Sequence, residues 1–283
     1  MKVTALGTGG AFSGLFGESK GNTCFVLDAD KCYMIDCPKD ISVFGDARMP
    51  VKIKSIDDVI ITHMHSDHIG DLGSLLFEKK FVEGKKLRLH ATRGLYAQIK
   101  RRLSDELAGE FTRPDMLTYT EYSFEDFVDF KELSTNVPFV RDGVKIDVRY
   151  NWHPTRPENT EPTTIGLKIA YESATFAYSS DTKYDLQLSN ELFRRKTISK
   201  KQWEDLKGFL WDADFIVHEA TQNAGKPGVG NIHTMLDALK GLPEEVRRKV
   251  YVAHTDDITP VHLEGTKLRL MERFKTYKVG GTF

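Results

Sequence analysis

Three imidazoles and one carboxylate lie within six consecutive residues, in the run His63-Met64-His65-Ser66-Asp67-His68. Nitrogen and oxygen donors of these types bind zinc, and they also bind manganese or iron. His63 and His65 are two residues apart, so both side chains can point to the same side of an extended segment. Asp67 and His68 follow where we expect the chain to turn into a helix, and they can face a second ion. We therefore predict a site for two divalent metal ions, with zinc preferred.

Further ligands must come from distant parts of the chain, because six residues cannot fill two coordination shells. His153, Asp181 and His254 each follow a predicted strand, where a rigid sheet could hold a ligand in place. Taken singly, each would be interpreted as a surface or capping residue, and the cluster alone could be a chance histidine-rich loop. Taken together, they complete a predicted set of seven metal ligands: His63, His65, Asp67, His68, His153, Asp181 and His254.

The elements that must position these residues alternate along the chain in the order strands, helices, strands, helices. Two such halves indicate an α/β fold in which two sheets pack face to face with helices outside, a four-layer αββα sandwich. No linker or repeat divides residues 1–283, so we expect a single domain. Strands are predicted at Val3–Leu6, Thr23–Leu27, Tyr33–Ile35, Val59–Thr62, Leu87–His90, Val144–Tyr150, Ile165–Tyr171, Thr175–Tyr178, Phe215–Val217 and Val250–Ala253, and helices at Asp71–Phe81, Gly94–Leu107, Leu186–Phe193 and Lys200–Leu210.

Two segments are harder to assign. The acidic and aromatic segment Arg113–Arg141 has no clear periodicity, and we expect it to be a peripheral insertion. Thr259-Pro260 has the pattern of a helix start, with proline at the first helical position, and it predicts a helix over Leu263–Phe274.

Composition excludes several classes of protein. Apolar residues make up 40% of the chain and charged residues 29%, which is typical of a globular domain, and the net charge of −1 gives no overall attraction to nucleic acid. The glycine-rich loop after the first strand fails the dinucleotide-binding pattern, because Phe12 stands at the third glycine position. We see neither a signal peptide nor a membrane span. With three cysteines in no metal or disulfide pattern, we expect a cytoplasmic protein with reduced thiols.

The run His63-x-His65-x-Asp67-His68 resembles the H-x-H-x-D-H signature of the metallo-β-lactamase superfamily. The order of the remaining residues is similar too, with Asp36 after an early strand, and His153, Asp181 and His254 after the cluster. The resemblance implies the αββα fold independently of the strand pattern. It also implies that His63, His65 and His153 bind one metal, that Asp67, His68 and His254 bind the other, that Asp181 bridges the two, and that Asp36 orients a ligand through a hydrogen bond.

A second resemblance narrows the branch. The stretch Ala213–Thr221 and the later Ile232-His233-Thr234 are similar to ribonuclease Z-like phosphodiesterases, as are Leu6-Gly7-Thr8-Gly9 and the segment 178–182. The resemblance implies that Glu219 holds the imidazole of His233, and that His233 contacts the phosphate or protonates the leaving oxygen. We expect His90, His218 and His262 to be structural or solvated. Arg156 and Lys183 could steer a phosphate or simply face solvent.

These residues predict an enzyme that hydrolyses a phosphodiester with two metals. In the mechanism that we expect, the metals share a hydroxide, Asp67 orients or deprotonates the nucleophile, and His233 supplies a proton. The extended arm with which ribonuclease Z grips transfer RNA is not found between His153 and Asp181, and the extra length falls instead at Arg113–Arg141 and Lys183–Asp212. A small cyclic nucleotide is therefore the favoured substrate.

Several alternatives remain open at this stage. A ribonuclease Z-like RNA-processing nuclease would need a basic, exposed groove. The same scaffold could hydrolyse a thioester, a lactone or a sulfate ester, and a non-enzymatic binding protein would be expected to lack ligands. Relatives in this branch include cyclic-nucleotide phosphodiesterases, among them phage enzymes that degrade the cyclic pyrimidine signals of bacterial immunity. Members of the branch are often homodimers, so the resemblance implies a homodimer here.

Overall fold

The computed structural model describes residues 1–13, 20–107, 109–112, 119–153, 164–223 and 232–280. In chain order the strands are β1 (Lys2–Gly7), β2 (Cys24–Ala29), β3 (Lys31–Ile35), β4 (Ile56–Ile60), β5 (Leu87–Ala91), β6 (Gly109–Thr112), β7 (Tyr119–Tyr122), β8 (Val128–Glu132), β9 (Phe139–Arg141), β10 (Val144–Tyr150), β11 (Ile165–Tyr171), β12 (Ala174–Tyr178), β13 (Phe215–Glu219), β14 (Val250–Ala253), β15 (Arg269–Leu270) and β16 (Thr276–Lys278). The α-helices are α1 (Ser66–Ile69), α2 (Leu72–Phe77), α3 (Arg93–Leu107), α4 (Leu186–Arg194), α5 (Lys200–Gly208), α6 (Leu236–Lys240) and α7 (Glu244–Arg247), and a π-helical turn at Glu78–Val82 extends α2.

The strands form two mixed seven-stranded sheets. The first sheet has the order β16-β1-β2-β3-β4-β5-β8, and the second has the order β15-β14-β13-β12-β11-β10-β9. Strands β3, β4 and β5 run parallel to one another, and so do β12, β13 and β14. Strands β6 and β7 form a separate hairpin.

Alternation of apolar side chains explains why the sheets stack. On β2, Phe25 and Leu27 face the second sheet, whereas Val26 faces the helices on the outer side. On β13, Phe215 and Val217 face the first sheet. Because successive residues of a strand point to opposite faces, each sheet has one face for its partner sheet and one for its helices. Full burial of a large apolar side chain contributes roughly 1.5–3 kcal/mol, so these faces hold the layers together.

Three buried clusters result from this alternation. One lies between the sheets, one lies between the first sheet and α2 and α3, and one lies between the second sheet and α6. The predicted four-layer αββα sandwich is therefore confirmed. The cysteines Cys24, Cys32 and Cys37 are free thiols, and no helix among the described residues is long and apolar enough to cross a membrane.

The segment Arg113–Arg141 is more than a peripheral insertion, so that prediction was wrong for most of it. Val128–Glu132 forms the edge strand β8 of the first sheet, and Phe139–Arg141 forms the edge strand β9 of the second. Phe124 and Phe127 anchor the segment in the cluster beneath α3. The strands carry few buried residues because an edge strand has neighbours on one side only. Residues 113–118 lie outside the described part of the chain.

The helix predicted over Leu263–Phe274 was also wrong. A short 3₁₀ turn over Pro260–Leu263 begins as expected, with the side chains of Thr259 and His262 capping it. Gly265 and Lys267 then have φ angles of 73° and 68°. These left-handed backbone conformations end a right-handed helix, and the chain continues into β15 and β16.

The ends of several strands meet at one edge of the sandwich. Strand β4 of the first sheet and the parallel strands β12, β13 and β14 of the second sheet have their carboxyl ends there, as expected for the site of an α/β protein. Two backbone hydrogen bonds join the sheets at this edge: Ile165 N donates to Thr62 O at 3.1 Å, and Thr255 N donates to Thr8 O at 3.3 Å. Side chains that follow these strands are thereby brought together.

Candidate metal centre

The seven predicted ligands lie together at this edge. His63 and His65 follow β4, Asp67 and His68 lie in α1, and the other three follow β10, β12 and β14. Their donor atoms fall into two groups, and within each group all donor atoms lie within 4.8 Å of one another. The first group is His63, His65, His153 and Asp181, and the second is Asp67, His68 and His254.

The carboxylate of Asp181 stands between the two groups. Its Oδ1 lies 3.3 Å from Nε2 of His68 and 3.3 Å from Nε2 of His254. Its Oδ2 lies 3.5 Å from Nε2 of His63 and 3.6 Å from Nε2 of His153. One carboxylate oxygen therefore faces each group, as a bridging ligand requires.

Two buried atoms test whether these residues fit metal ions. Nε2 of His63 and Oδ1 of Asp181 are buried and have no hydrogen-bond partner among the described residues. An unsatisfied buried polar atom is costly, and native structures contain few of them. Both atoms point into the space between the ligands, where a divalent cation would satisfy them. The donor set of imidazole nitrogens and carboxylate oxygens is one that zinc, manganese and iron accept, so the residues fit two such ions.

Protonation states favour metal binding by the first group. Burial, together with the charge of His68, lowers the pKa of His63 to about 4, and burial lowers the pKa of His153 to about 3. Both imidazoles are therefore neutral near pH 7, and a neutral imidazole has the lone pair that a metal needs. Burial would raise the pKa of Asp181, but the charges of His254 and His68 outweigh it and hold the pKa well below its usual range.

Hydrogen bonds fix which ring nitrogen faces the centre. Nδ1 of His153 lies 3.1 Å from the carbonyl oxygen of Ile232, and a carbonyl can only accept. Nδ1 of His68 lies 2.7 Å from Oδ2 of Asp36. In both histidines Nδ1 therefore carries a hydrogen, so Nε2 is the ring nitrogen that can face a metal ion. Asp36 thus contacts His68, one of the predicted ligands.

Exposure shows the open side of the centre. The side chain of His65 is 38% exposed and that of His233 is 15% exposed, whereas the side chain of His63 is 2% exposed. The glycine loop after β1 also borders the centre, since a Cβ at Gly10 would lie 3.7 Å from Cε1 of His254. Gly10 N donates to Oδ1 of Asp256 at 3.1 Å, which fixes the loop there.

Glu219 and His233 lie beside the ligands. Nδ1 of His233 is 2.6 Å from Oε2 of Glu219, and Oε1 of Glu219 accepts hydrogen bonds from the backbone nitrogens of Thr182 and Thr234 at 2.9 and 3.1 Å. Burial alone would lower the pKa of His233, but the charge of Glu219 outweighs it and raises the pKa to about 9. His233 is also within ligand distance of Asp181 and His254, so a third ligand group is possible on geometry alone.

The remaining histidines lie outside the centre. His218 is buried, and its ring stacks on Trp211 at 5.5 Å between centroids. Nε2 of His90 lies 2.8 Å from Oδ1 of Asp58. His262 caps the turn at Pro260, as described above. Arg156 lies outside the described residues.

Sequence reasoning missed two hydroxyl residues, Thr62 and Ser180. Each one precedes a ligand in the chain, and Ser180 Oγ donates to Thr62 Oγ1 at 2.7 Å. Both side chains are buried. A hydroxyl residue immediately before each of two ligands was the available signal, but 118 positions separate the two residues and only the fold brings them together.

Known proteins resemble this chain along most of its length. Phosphodiesterase B of Dictyostelium discoideum, named as a cAMP/cGMP-dependent 3′,5′-cAMP/cGMP phosphodiesterase, is 31% identical over 201 residues, which are 71% of this chain and 16% of that protein. The chain thus spans about a sixth of the length of that relative. The anti-Pycsar protein Apyc1 of Paenibacillus sp. (strain J14) is 26% identical over 263 residues, which cover 91% of this chain and 90% of that protein.

A solved structure shows the fold of this chain, and a family model shows its family. The metallo-β-lactamase fold protein YhfI of Bacillus subtilis superposes with a TM-score of 0.69 at 17% identity, over 99% of both chains, which shows the shared fold. Residues 1–277 match the family model of anti-Pycsar protein Apyc1. This chain therefore belongs to the anti-Pycsar protein Apyc1 family.

Proposed function

We propose that the protein is a metal-dependent phosphodiesterase that hydrolyses small cyclic nucleotides. The observation that carries the proposal is the Asp181 carboxylate, which turns one oxygen to each of two ligand groups. The hydrogen-bonded pair of Glu219 and His233 beside it supplies a proton donor. Relatives named as cyclic-nucleotide phosphodiesterases and as anti-Pycsar proteins support this substrate class.

Two ions would be held by the seven ligands, one in each group, with Asp181 shared. When bound, such ions acidify water at neutral pH and neutralise charge on the phosphoryl oxygens. We propose zinc, because five of the seven ligands are histidines, and manganese or iron are the alternatives.

The residues of the chain supply the proton transfers. Hydrolysis forms a bond between a water oxygen and phosphorus and breaks the bond from phosphorus to the leaving ester oxygen. Asp67, whose carboxylate lies 3.1 Å from Nε2 of His254, would orient the water or accept its proton. His233 donates a proton to the leaving oxygen, and Glu219 holds the imidazole in the protonated state.

Small substrates fit the charge of the molecule better than RNA does. The net charge is −1, whereas a protein that binds RNA gains affinity by neutralising phosphates with basic residues.

We also propose a homodimer and a cytoplasmic location. The first rests on the resemblance to the phosphodiesterase branch, and the second on the three free thiols. Light scattering of the purified protein tests the homodimer.

A hydrolysis panel with metal analysis tests the function. The substrates are 3′,5′-cyclic and 2′,3′-cyclic nucleotides of all four bases, a chromogenic diester and a precursor transfer RNA. We expect turnover of 3′,5′-cyclic nucleotides, two bound ions per chain and a weak dependence of kcat/KM on salt. Cleavage of the precursor RNA without turnover of any small diester would contradict the proposed substrate class.

A further inference from the structure

A buried network of hydroxyl groups links His63 to Asp36. Oγ1 of Thr62 lies 2.9 Å from each carboxylate oxygen of Asp36 and 3.2 Å from Nδ1 of His63. Ser180 Oγ donates to the same Thr62 oxygen at 2.7 Å and lies 3.5 Å from Nδ1 of His63. All four side chains are buried, so water does not compete for these bonds.

The directions of these hydrogen bonds follow from the groups themselves. A carboxylate accepts and a hydroxyl has one hydrogen, so Thr62 donates that hydrogen to Asp36. The Thr62 oxygen is then left to accept, from Ser180 and from Nδ1–H of His63. His63 must therefore carry its hydrogen on Nδ1, which leaves a lone pair on Nε2. That Nε2 is buried and has no hydrogen-bond partner in the part of the chain that the structure describes.

Asp36 also holds a ligand of the other group. Its Oδ2 accepts a hydrogen bond from Nδ1 of His68 at 2.7 Å, and its Oδ1 accepts one from the backbone nitrogen of Thr62 at 2.8 Å. His63 belongs to the first ligand group and His68 to the second. One carboxylate thus orients His68 directly and His63 through Thr62. The Thr62 carbonyl accepts from Ile165 N, which ties the network to the second sheet.

We propose that Thr62, assisted by Ser180, is a positioning residue that fixes the tautomer of His63 and couples the two metal half-sites through Asp36. This inference rests on the proposed metal centre. Without the Thr62 hydroxyl, Nδ1 of His63 has lost its nearest acceptor, and the tautomer with hydrogen on Nε2 cannot bind metal. The ion of the first group is then held more weakly, whereas the direct contact of Asp36 with His68 in the second group remains.

Chelator titration of the holoprotein tests the proposal. Wild type and variants carrying two zinc ions are titrated with a chelator, and retained metal is measured by mass spectrometry. We expect Thr62→Val to release one ion at a roughly 10- to 100-fold lower chelator concentration, the range for a lost partner of a ligand. Thr62→Ser keeps the hydroxyl and should behave as wild type. Ser180→Ala should shift in the same direction by less, because Thr62 remains.

Thr164→Val is the matched control. Thr164 is buried and its Oγ1 has no hydrogen-bond partner among the described residues. The same substitution there should leave metal retention unchanged. Long-range ¹H–¹⁵N NMR of the histidine rings provides a second measurement, in which wild type shows His63 with hydrogen on Nδ1 and Thr62→Val shows a loss of that preference.

Retention of both ions by Thr62→Val at wild-type chelator concentrations would overturn the proposal, and so would a Thr62→Ser variant that behaves like Thr62→Val. If Thr62→Val does not fold, two other results together overturn the proposal. They are metal retention in Ser180→Ala equal to that of the wild type, and a wild-type His63 that carries its hydrogen on Nε2. The proposed function fails separately: a wild-type protein that holds two ions but hydrolyses no cyclic nucleotide contradicts the function and leaves the network intact. A wild type that binds no ion contradicts both.

Discussion

Nδ1 of His233 lies 2.6 Å from Oε2 of Glu219, so only Nε2 of this histidine is free to give a proton to a substrate. A general acid contributes typically 10²–10⁴-fold to a rate. We expect His233→Ala to lower kcat for a 3′,5′-cyclic nucleotide by about that factor and to keep both metal ions. Steady-state kinetics and metal analysis on the same preparation check both parts.

Loss of one ion from His233→Ala would show that His233 is a ligand instead, a role that its proximity to Asp181 and His254 would allow. His262→Ala is the matched control, because His262 caps a turn through Thr259 outside the ligand groups. That variant should keep wild-type turnover and metal content.

Glu219→Gln should lower kcat through its effect on His233. The carboxylate of Glu219 accepts from His233 and from two backbone nitrogens, whereas a glutamine would turn an amide nitrogen towards one of these donors. Because Glu219 acts through His233, the double variant should be scarcely slower than His233→Ala alone. A double-mutant cycle on kcat measures this, and additive effects would refute the dyad.

Asp181→Asn should disrupt the centre more than loss of a terminal ligand does. An asparagine has one oxygen to offer, whereas Asp181 turns one oxygen to each ligand group. We expect at most one bound ion and loss of most turnover. Asp212→Asn provides the control, since the side chain of Asp212 is 72% exposed on the surface. Two tightly held ions in Asp181→Asn would rule out a bridging role.

Much of the centre could be predicted because its ligands follow a local rule. His63 to His68 are contiguous. Asp181 and His254 each follow a mostly buried, apolar strand, and His153 follows β10, in which buried apolar residues alternate with polar ones. The carboxyl ends of parallel strands meet at one edge, so the strand ends together with the cluster indicated that these residues lie close to one another. Their division into two groups was implied by the family resemblance.

Other features depend on partners that are distant in the chain. Strand β9 has intermediate or exposed residues throughout, so it has no apolar alternation, and its pairing with β10 is what makes it a strand. The predicted helix after Pro260 failed because Gly265 and Lys267 adopt left-handed conformations, which apolar spacing does not reveal. The Thr62–Ser180 contact joins two sheets and could not be inferred from either segment.

The buried carboxylate of Asp58 should make the free energy of unfolding decrease as the pH falls into the acid range. Burial would raise its pKa, but hydrogen bonds from His90 and Arg88 outweigh burial and lower the pKa to about 2. An unfolded aspartate titrates near ~3.9, so the stabilisation is complete above pH ~4 and is lost as the pH falls through about 2. In metal-free protein, we expect Asp58→Asn to cost about 2–3 kcal/mol at pH 6 and much less at pH 2.

Urea unfolding at pH 6, 4 and 2 measures the difference between wild type and Asp58→Asn. The neighbouring Asp57 pairs with Lys85 but is 40% exposed, so Asp57→Asn is the control and should change the stability little at any of these pH values. An effect of Asp58→Asn that stays constant from pH 6 to pH 2 would contradict the assigned pKa.

Gly7 is required by close packing, which explains one glycine of the loop without any nucleotide ligand. A Cβ at Gly7 would lie 2.0 Å from the carbonyl oxygen of Asn22, a backbone atom that cannot turn aside. We expect Gly7→Ala to destabilise the protein by roughly 1–3 kcal/mol or more, as overpacking does. At Gly45, no atom lies within 4 Å of a Cβ, so Gly45→Ala should be neutral or slightly stabilising. Because Gly7 leads into the loop that borders the metal centre at Gly10, chelator titration of folded Gly7→Ala should also show weaker metal retention, whereas Gly45→Ala should retain metal as wild type does.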